Sequence, residues 1–226
     1  MKLDAITTEV IVSRLRETTE AMAHTLFHSG YSPILRESQD GTAGLTDHQG
    51  RVIMLGGGLQ YHSILYTKSV KSILAVYPQK TLKEGDSFVC NDPYQASNSH
   101  VPDMVVATPI FYENELIAFG VSVAHKADLG GLVPGSSGAG AREIFHDGLR
   151  LPPVRYSTKR GIIKEIEDII RTNSRVPEMV VGDLRGQVGA TRIGAERLKT
   201  LCNEYGVDLI TQSMKSLIER TKKRVI

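Results

Sequence analysis

The sequence has no tryptophan and only two cysteines, Cys90 and Cys202. Two thiols cannot build the disulfide framework of a small secreted scaffold, and they fit a reducing compartment. No charge of one sign dominates, because 27 lysines and arginines stand against 25 acidic residues. That balance gives no electrostatic case for nucleic acid or an anionic membrane surface. The Lys222-Lys-Arg224 run is too short for a nucleic-acid arm. Long apolar runs are missing too. Met104–Ile110, among the richest, falls far short of the ~20 residues that span a bilayer. The opening MKLDAITTEV has no apolar stretch after its lysine and reads as neither signal peptide nor anchor. The expected compartment is therefore cytoplasmic. Neither GxxxxGK[ST] nor a Rossmann fingerprint occurs, so no named motif binds a nucleotide.

What is present fits an α+β chain of 226 residues, one large domain or two small ones. Residues 4–28 carry Ile6, Val10, Ile11, Leu15, Met22 and Leu26 at helical spacing, with Asp4 as cap and Gly30 and Pro33 as stops. Short strands are expected near Gly44–Leu45 and Arg51–Leu55, around a turn at Asp47–Gly50. Gly56-Gly57-Gly58 is expected to break the pattern before a second helix, His62 to Tyr77. The middle is β in character: Ser87–Cys90, Met104–Tyr112 and Leu116–Ala124, the last two joined by a polar turn at Glu113-Asn114-Glu115. A glycine-rich stretch from Leu129 to Pro153 has no period, which in a loop this long points to function or mobility. After Gly161 the chain is expected to be helical: Ile162–Asn173, Pro177–Tyr205 and Val207–Arg224. In the longest helix Gly182, Gly186, Ala190 and Gly194 form one stripe, which predicts close packing there. The expected architecture is a central antiparallel or mixed sheet with an N-terminal helix. Residues 1–160 would form the body, and residues 161–226 a helical segment packed on it.

The sharpest cluster of chemistry-bearing residues brackets the β hairpin. Before it stand Asn91-Asp-Pro-Tyr94 and Ser99-His-Val-Pro-Asp103; after it stands Ala124-His-Lys-Ala-Asp128. With the turn centred on Asn114, Asp103 lies opposite His125 and His100 opposite Asp128. Two imidazoles and two carboxylates then meet at the hairpin's open end. Such a donor set suits Zn, Mn or Fe and leaves a position for water. His62, at a helix start after three glycines, is a candidate to line the same cleft. Glu143 and His146 follow the glycine-rich loop and are candidates for acid–base work on a lid. Cys90 and Cys202 read as buried and inert.

The blocks TTEVIVSRLRETTEAM, NDPY…SHVPD, AHKADLGGLVPGS, REIFHDGLRLPPV and VVGDLRGQVGATRIGAERL stand in the order found in the hydantoinase B/oxoprolinase family, which the chain resembles over nearly its whole length. The resemblance implies a divalent metal held by His100, Asp103 and His125, the last 25 residues beyond the first. Asp128 would then orient a ligating imidazole, and Asn91 and Asp92 would contribute to substrate binding. Lys126 stands where many relatives carry a second histidine. A lysine there would either stabilise an oxyanion or a carbonate-like intermediate or mark an altered substrate or chemistry. Gln95-Ala-Ser-Asn98 also departs from the glycine-containing family pattern.

The implied function is a B-type subunit of an ATP-dependent cyclic-amide hydrolase. An A-type ATP-binding partner would activate the amide, and metal-bound water would open the ring. Two alternatives stay open: a subunit of a metal- and ATP-dependent ketone carboxylase, and a non-catalytic assembly module that needs a second chain. Family B-type subunits are longer, so two readings stand side by side: a truncated product, or a separate chain that supplies the remaining half as a further partner. Nucleic acid and membrane are not expected partners.

Overall fold

The computed structural model describes residues 4–136 and 138–225. The first three residues of the N-terminal reading, Ser137 of the glycine-rich stretch and Ile226 lie outside the described residues. Helix α1 (Ala5–His28) begins at Asp4, whose carboxylate accepts from the Thr7 amide and satisfies a free helix-start donor. Of its spaced apolar residues Ile11, Leu15, Met22 and Leu26 are buried, as the spacing predicts, whereas Ile6 and Val10 are exposed. A short α2 (Pro33–Arg36) leads into β1 (Gly41–Asp47) and β2 (Val52–Gly58). Then follow α3 (Ser63–Val76), β3 (Ser87–Cys90), β4 (Asp103–Tyr112), β5 (Glu115–His125), β6 (Val154–Thr158) and β7 (Gly161–Ile162). The chain continues as α4 (Lys164–Thr172), α5 (Pro177–Tyr205) and α6 (Val207–Val225).

The strands form one sheet in the order β2-β1-β5-β4-β3-β6-β7, and every pairing is antiparallel. The fold is α+β, with the N-terminal and C-terminal helices expected from the sequence. Asn114 and Glu113 both take left-handed backbone conformations at the β4–β5 turn, the geometry that matches the twist of a tight hairpin. The turn pairs Tyr112 with Glu115, and a one-residue register shift between Ile110 and Phe111 then brings Asp103 opposite His125.

Alternation along β5 separates two packing layers. Phe119, Val121 and Val123 join Leu65, Tyr66, Val70 and Ile73 of α3 in one core. Gly120, from the opposite parity, faces α5, where an added Cβ would lie 2.8 Å from the Thr191 carbonyl oxygen. On that face α1, α5 and α6 share a core with Leu45, Ile53 and Ala118 of the sheet. The small-residue stripe of α5 does mark close packing. A Cβ on Gly182 would meet the Tyr31 ring at 2.3 Å, and one on Gly194 the Met22 sulfur at 2.4 Å. Each helical glycine costs about 1 kcal/mol against alanine, and this contact with α1 and the segment after it is what offsets that cost.

Two expectations are corrected. Gly56-Gly57-Gly58 does not break the strand; it is the end of β2. Glycine is needed because α1 runs so close that a Cβ on Gly56 would stand 2.1 Å from the Thr19 carbonyl oxygen. The first C-terminal helix does not start at Ile162: Gly161–Ile162 pairs with β6 as a short strand that extends the sheet beyond β3, and α4 begins at Lys164. Both cysteines are free and buried, and burial pushes their thiols up to about 12 for Cys90 and about 11 for Cys202. Among the described residues no helix is long and apolar enough to cross a membrane.

Candidate metal centre

Asp103 opens β4 and His125 closes β5, so the ladder itself places them side by side. His100 sits three residues upstream in the turn that enters β4, where the Asp103 amide donates to the His100 carbonyl. The imidazoles converge on one carboxylate oxygen. His100 Nε2 is 3.0 Å from Asp103 Oδ1, and His125 Nδ1 is 3.2 Å from the same atom. One donor atom from each of the three residues lies within 4.8 Å of the others. The second oxygen of Asp103 accepts from Ser99 Oγ at 2.7 Å. Asp103 is almost fully buried, which alone would favour its neutral form. The two imidazoles and the Ser99 hydroxyl win, and hold it well below the usual carboxylate range. The hydrogen bond to Asp103 raises His100 above its ordinary value.

Asp40 and His62 complete the cluster. Asp40 precedes β1, which pairs with β5, and the His125 amide donates to the Asp40 carbonyl. Its carboxylate reaches His125 Nδ1 at 4.0 Å and His62 Nε2 at 3.8 Å. No spacing argument pointed to Asp40, because its place depends on β1 and β5 pairing across some eighty residues of chain. His62 lies in the turn that starts α3, so it enters from the helix on that face of the sheet. It is fully buried, its Nε2 stands 3.6 Å from Asp103 Oδ2, and neither ring nitrogen has a hydrogen-bond partner. Burial lowers its basicity. The Tyr61 ring packs edge-on against it at 4.3 Å. Burial and then the charges of Asp40 and Asp103 raise the Tyr61 phenol.

The other sequence candidates are placed differently. Lys126 follows His125, so alternation turns it to the α5 face. It is fully buried there and donates to Gln187 Oε1 at 2.6 Å, with burial pulling its ammonium down to about 8. Asp128 hydrogen-bonds to the glycine-rich loop and not to His125. It accepts from the amides of Gly130, Gly135 and Arg175 and from Arg175 Nη1. Asn91 ties three segments together through the carbonyls of Val101 and Leu149 and the amide of Leu151. Asp92 caps the turn at Tyr94 and Gln95 and pairs with Arg150 at 3.3 Å. Glu143 lies 3.3 Å from His146 on an exposed short turn. Asn98, not singled out by the sequence, donates to the carbonyls of Asn91, His100 and Asp103 and shapes the turn that carries His100.

An α+β scaffold that gathers imidazoles and carboxylates at one hairpin end has a donor set suited to a divalent transition cation. The buried, partnerless Asp40 Oδ1 and His62 nitrogens agree with that fit. The chain belongs to the hydantoinase B/oxoprolinase family, whose sequence profile matches residues 4–226. It is 33% identical to a putative B-type D-/L-hydantoinase subunit of Pseudomonas sp. (strain NS671), over 98% of this chain and 38% of that protein. Among solved structures it is similar to the ATP-dependent caprolactamase from Pseudomonas jessenii. There the TM-score is 0.88 at 30% identity, over 96% of this chain and 37% of that one. The nucleotide-free acetone carboxylase structure has the same fold, with a TM-score of 0.86 at 20% identity, over 95% of this chain and 28% of that one. The chain thus spans less than two-fifths of the length of each of these relatives.

Proposed function

We propose that this chain is the metal-bearing part of a B-type subunit in an ATP-dependent enzyme that hydrolyses cyclic amides. The observation that carries this reading is the convergence of His100, His125 and Asp40 around the buried Asp103 carboxylate. The names of the relatives supply the substrate class, since hydantoins and caprolactam are both cyclic amides. ATP is handled by an A-type partner subunit.

In this reading His100, Asp103, His125 and Asp40 hold a divalent cation. Such a cation supplies Lewis-acid polarisation at the amide carbonyl or at the incoming water. Ser99 fixes the orientation of the Asp103 carboxylate, and Tyr61 covers the cluster from the α3 side. Asn91, Asp92 and Asp128 act at a distance by holding the loops that frame the site. Glu143 and His146, paired on the exposed turn, are the acid–base candidates nearest the glycine-rich loop.

The test combines the chain with an A-type partner and measures ring opening of a hydantoin, 5-oxoproline or caprolactam alongside ATP consumption. His100→Ala and His125→Ala should each abolish bound metal and ring opening while leaving the circular-dichroism spectrum unchanged. A metal-free double variant with full activity would overturn the reading. Bicarbonate-dependent ATP turnover with a ketone would assign the carboxylase chemistry instead.

A further inference from the structure

Gln187 is a fully buried amide on α5, across the sheet from the imidazole and carboxylate cluster. Alternation turns Asp103 and His125 toward α3 and their chain neighbours Met104 and Lys126 toward α5. Met104 accordingly packs with Val180, Val181, Leu184 and Val188 of that helix. Gln187 bonds to the backbone of both strands and to Lys126. Its Nε2 donates to the Met104 carbonyl at 2.9 Å and to the Ser122 carbonyl at 3.2 Å. Its Oε1 accepts from Lys126 Nζ at 2.6 Å. One side chain thus grips β4 one residue after Asp103, β5 three residues before His125, and the chain one residue after His125.

The orientation of this amide is fixed by its partners. A carbonyl oxygen only accepts and an ammonium only donates. The amide nitrogen must therefore face the two strands and the amide oxygen must face Lys126. A flipped amide would lose all three bonds, so the ammonium locks the group that holds the strands. Stability gives no reason for such a network. Burying an amide and an ammonium is costly, and apolar side chains of similar shape often replace buried polar groups at no loss. Position gives a reason, because a ligand set works only when its donors are held to within about 0.5 Å by the residues behind them. One turn further along α5, Thr191 makes a buried bond of the same kind to Thr108 Oγ1 at 2.7 Å, but five residues along β4 from Asp103.

We infer that Gln187, with its amide oriented by Lys126, is a positioning residue for the metal centre. It touches neither cation nor substrate. It sets the separation and tilt of the β4 and β5 ends from the far face of the sheet, and through them the placement of Asp103 and His125. This rests on the metal-centre reading above and deepens it by naming what holds two of the ligands in place.

The test is Mn(II) titration and electron paramagnetic resonance of the full chain, stripped with a chelator and reloaded. The unsubstituted chain is compared with Gln187→Met, Gln187→Asn and Thr191→Val. Gln187→Met keeps the side chain's bulk and loses its bonds to both strands. Gln187→Asn stays polar but is one methylene too short to bridge them, and it carries the test if Gln187→Met does not fold. Each Gln187 variant should bind Mn(II) roughly 10–100-fold more weakly, as for loss of an outer partner. The zero-field splitting of the bound Mn(II) should change as well, reporting a distorted ligand set. Thr191→Val loses a buried polar bond of the same helix away from the ligands, so its affinity and spectrum should match the unsubstituted chain. Unchanged affinity and spectrum in a folded Gln187 variant would overturn the proposal. An equal loss of affinity in Thr191→Val would overturn it too, since general loosening of the α5 contact would then explain both. If the unsubstituted chain binds no Mn(II), the metal-centre reading fails and this role fails with it.

Discussion

Asp103 and Asp128 are both almost completely buried carboxylates beyond the same end of the β4–β5 hairpin, yet their oxygens are matched in opposite ways. Asp128 meets three backbone amides and a guanidinium, each at 2.9 Å. Arg175 in turn donates to the carbonyls of Gly130, Gly131 and Val133, so the pair fastens the loop to the junction between α4 and α5. Asp103 meets one hydroxyl and otherwise faces imidazoles. Around it His62 and one oxygen of Asp40 have no partner. The difference separates scaffold from chemistry. Polar groups saturated by backbone fix a loop, whereas polar groups that face only one another are arranged for something between them.

Asp103→Ala should give the largest effect. Loss of the ligand shared by both imidazoles should lower metal affinity by more than the roughly 10–100-fold typical of an outer partner. Titration of the stripped chain with Mn(II) measures it. Asp128→Ala should do the reverse, leaving stoichiometry intact and lowering unfolding free energy by about 2–4 kcal/mol. That range follows from the orphaned amides, discounted because Arg175 is substantially exposed. Urea denaturation is the readout. An Asp128→Ala chain that lost its metal but kept its stability would erase the distinction.

Asn91→Ala belongs with Asp128. It frees two carbonyls and one amide, at a cost of about 2–3 kcal/mol, again with metal retained.

The smallest effect is in pH. His100 has a raised pKa in the folded metal-free chain. Its ion pair with Asp103 therefore stabilises that chain fully below about pH 6.5, and the contribution fades as pH rises through the elevated value. Cation affinity should run the other way over the same window, because the proton on His100 must leave before the nitrogen can ligate. Asp103→Asn should flatten the stability slope. The depressed Asp103 contributes stability above its unfolded value near 4, lost only as pH falls through its lower folded value.

Much of this was legible in the chain. The Asp4 cap, the Pro177 start and the Gly206 stop are local chemistry, and they bound α1 and α5 as the sequence implies. The Asn114 turn is local too, but the pairing of Asp103 with His125 also depends on the one-residue register shift between Ile110 and Phe111. Extrapolating that register past His125 fails, because the ladder ends there and left-handed Gly130 and Gly131 carry the chain away. Hence Asp128 meets Arg175 and not His100. The parity rule that pairs Asp103 with His125 also sends Lys126 to the other face. Asp40 was hidden because its position depends on which strand β1 joins. Gly56–Gly58 misled because glycine serves close backbone approach as well as turns.

The most direct measurement is a thermal-unfolding comparison of the stripped chain, Asp103→Ala and Asp128→Ala, each with and without saturating Mn(II). A ligand that binds only the folded state raises the midpoint. Mn(II) should raise it in the unsubstituted chain and in Asp128→Ala, from a lower starting point in the latter, and leave Asp103→Ala unmoved. Equal shifts in all three, or none in the unsubstituted chain, would contradict the assignment of Asp103 to a metal centre.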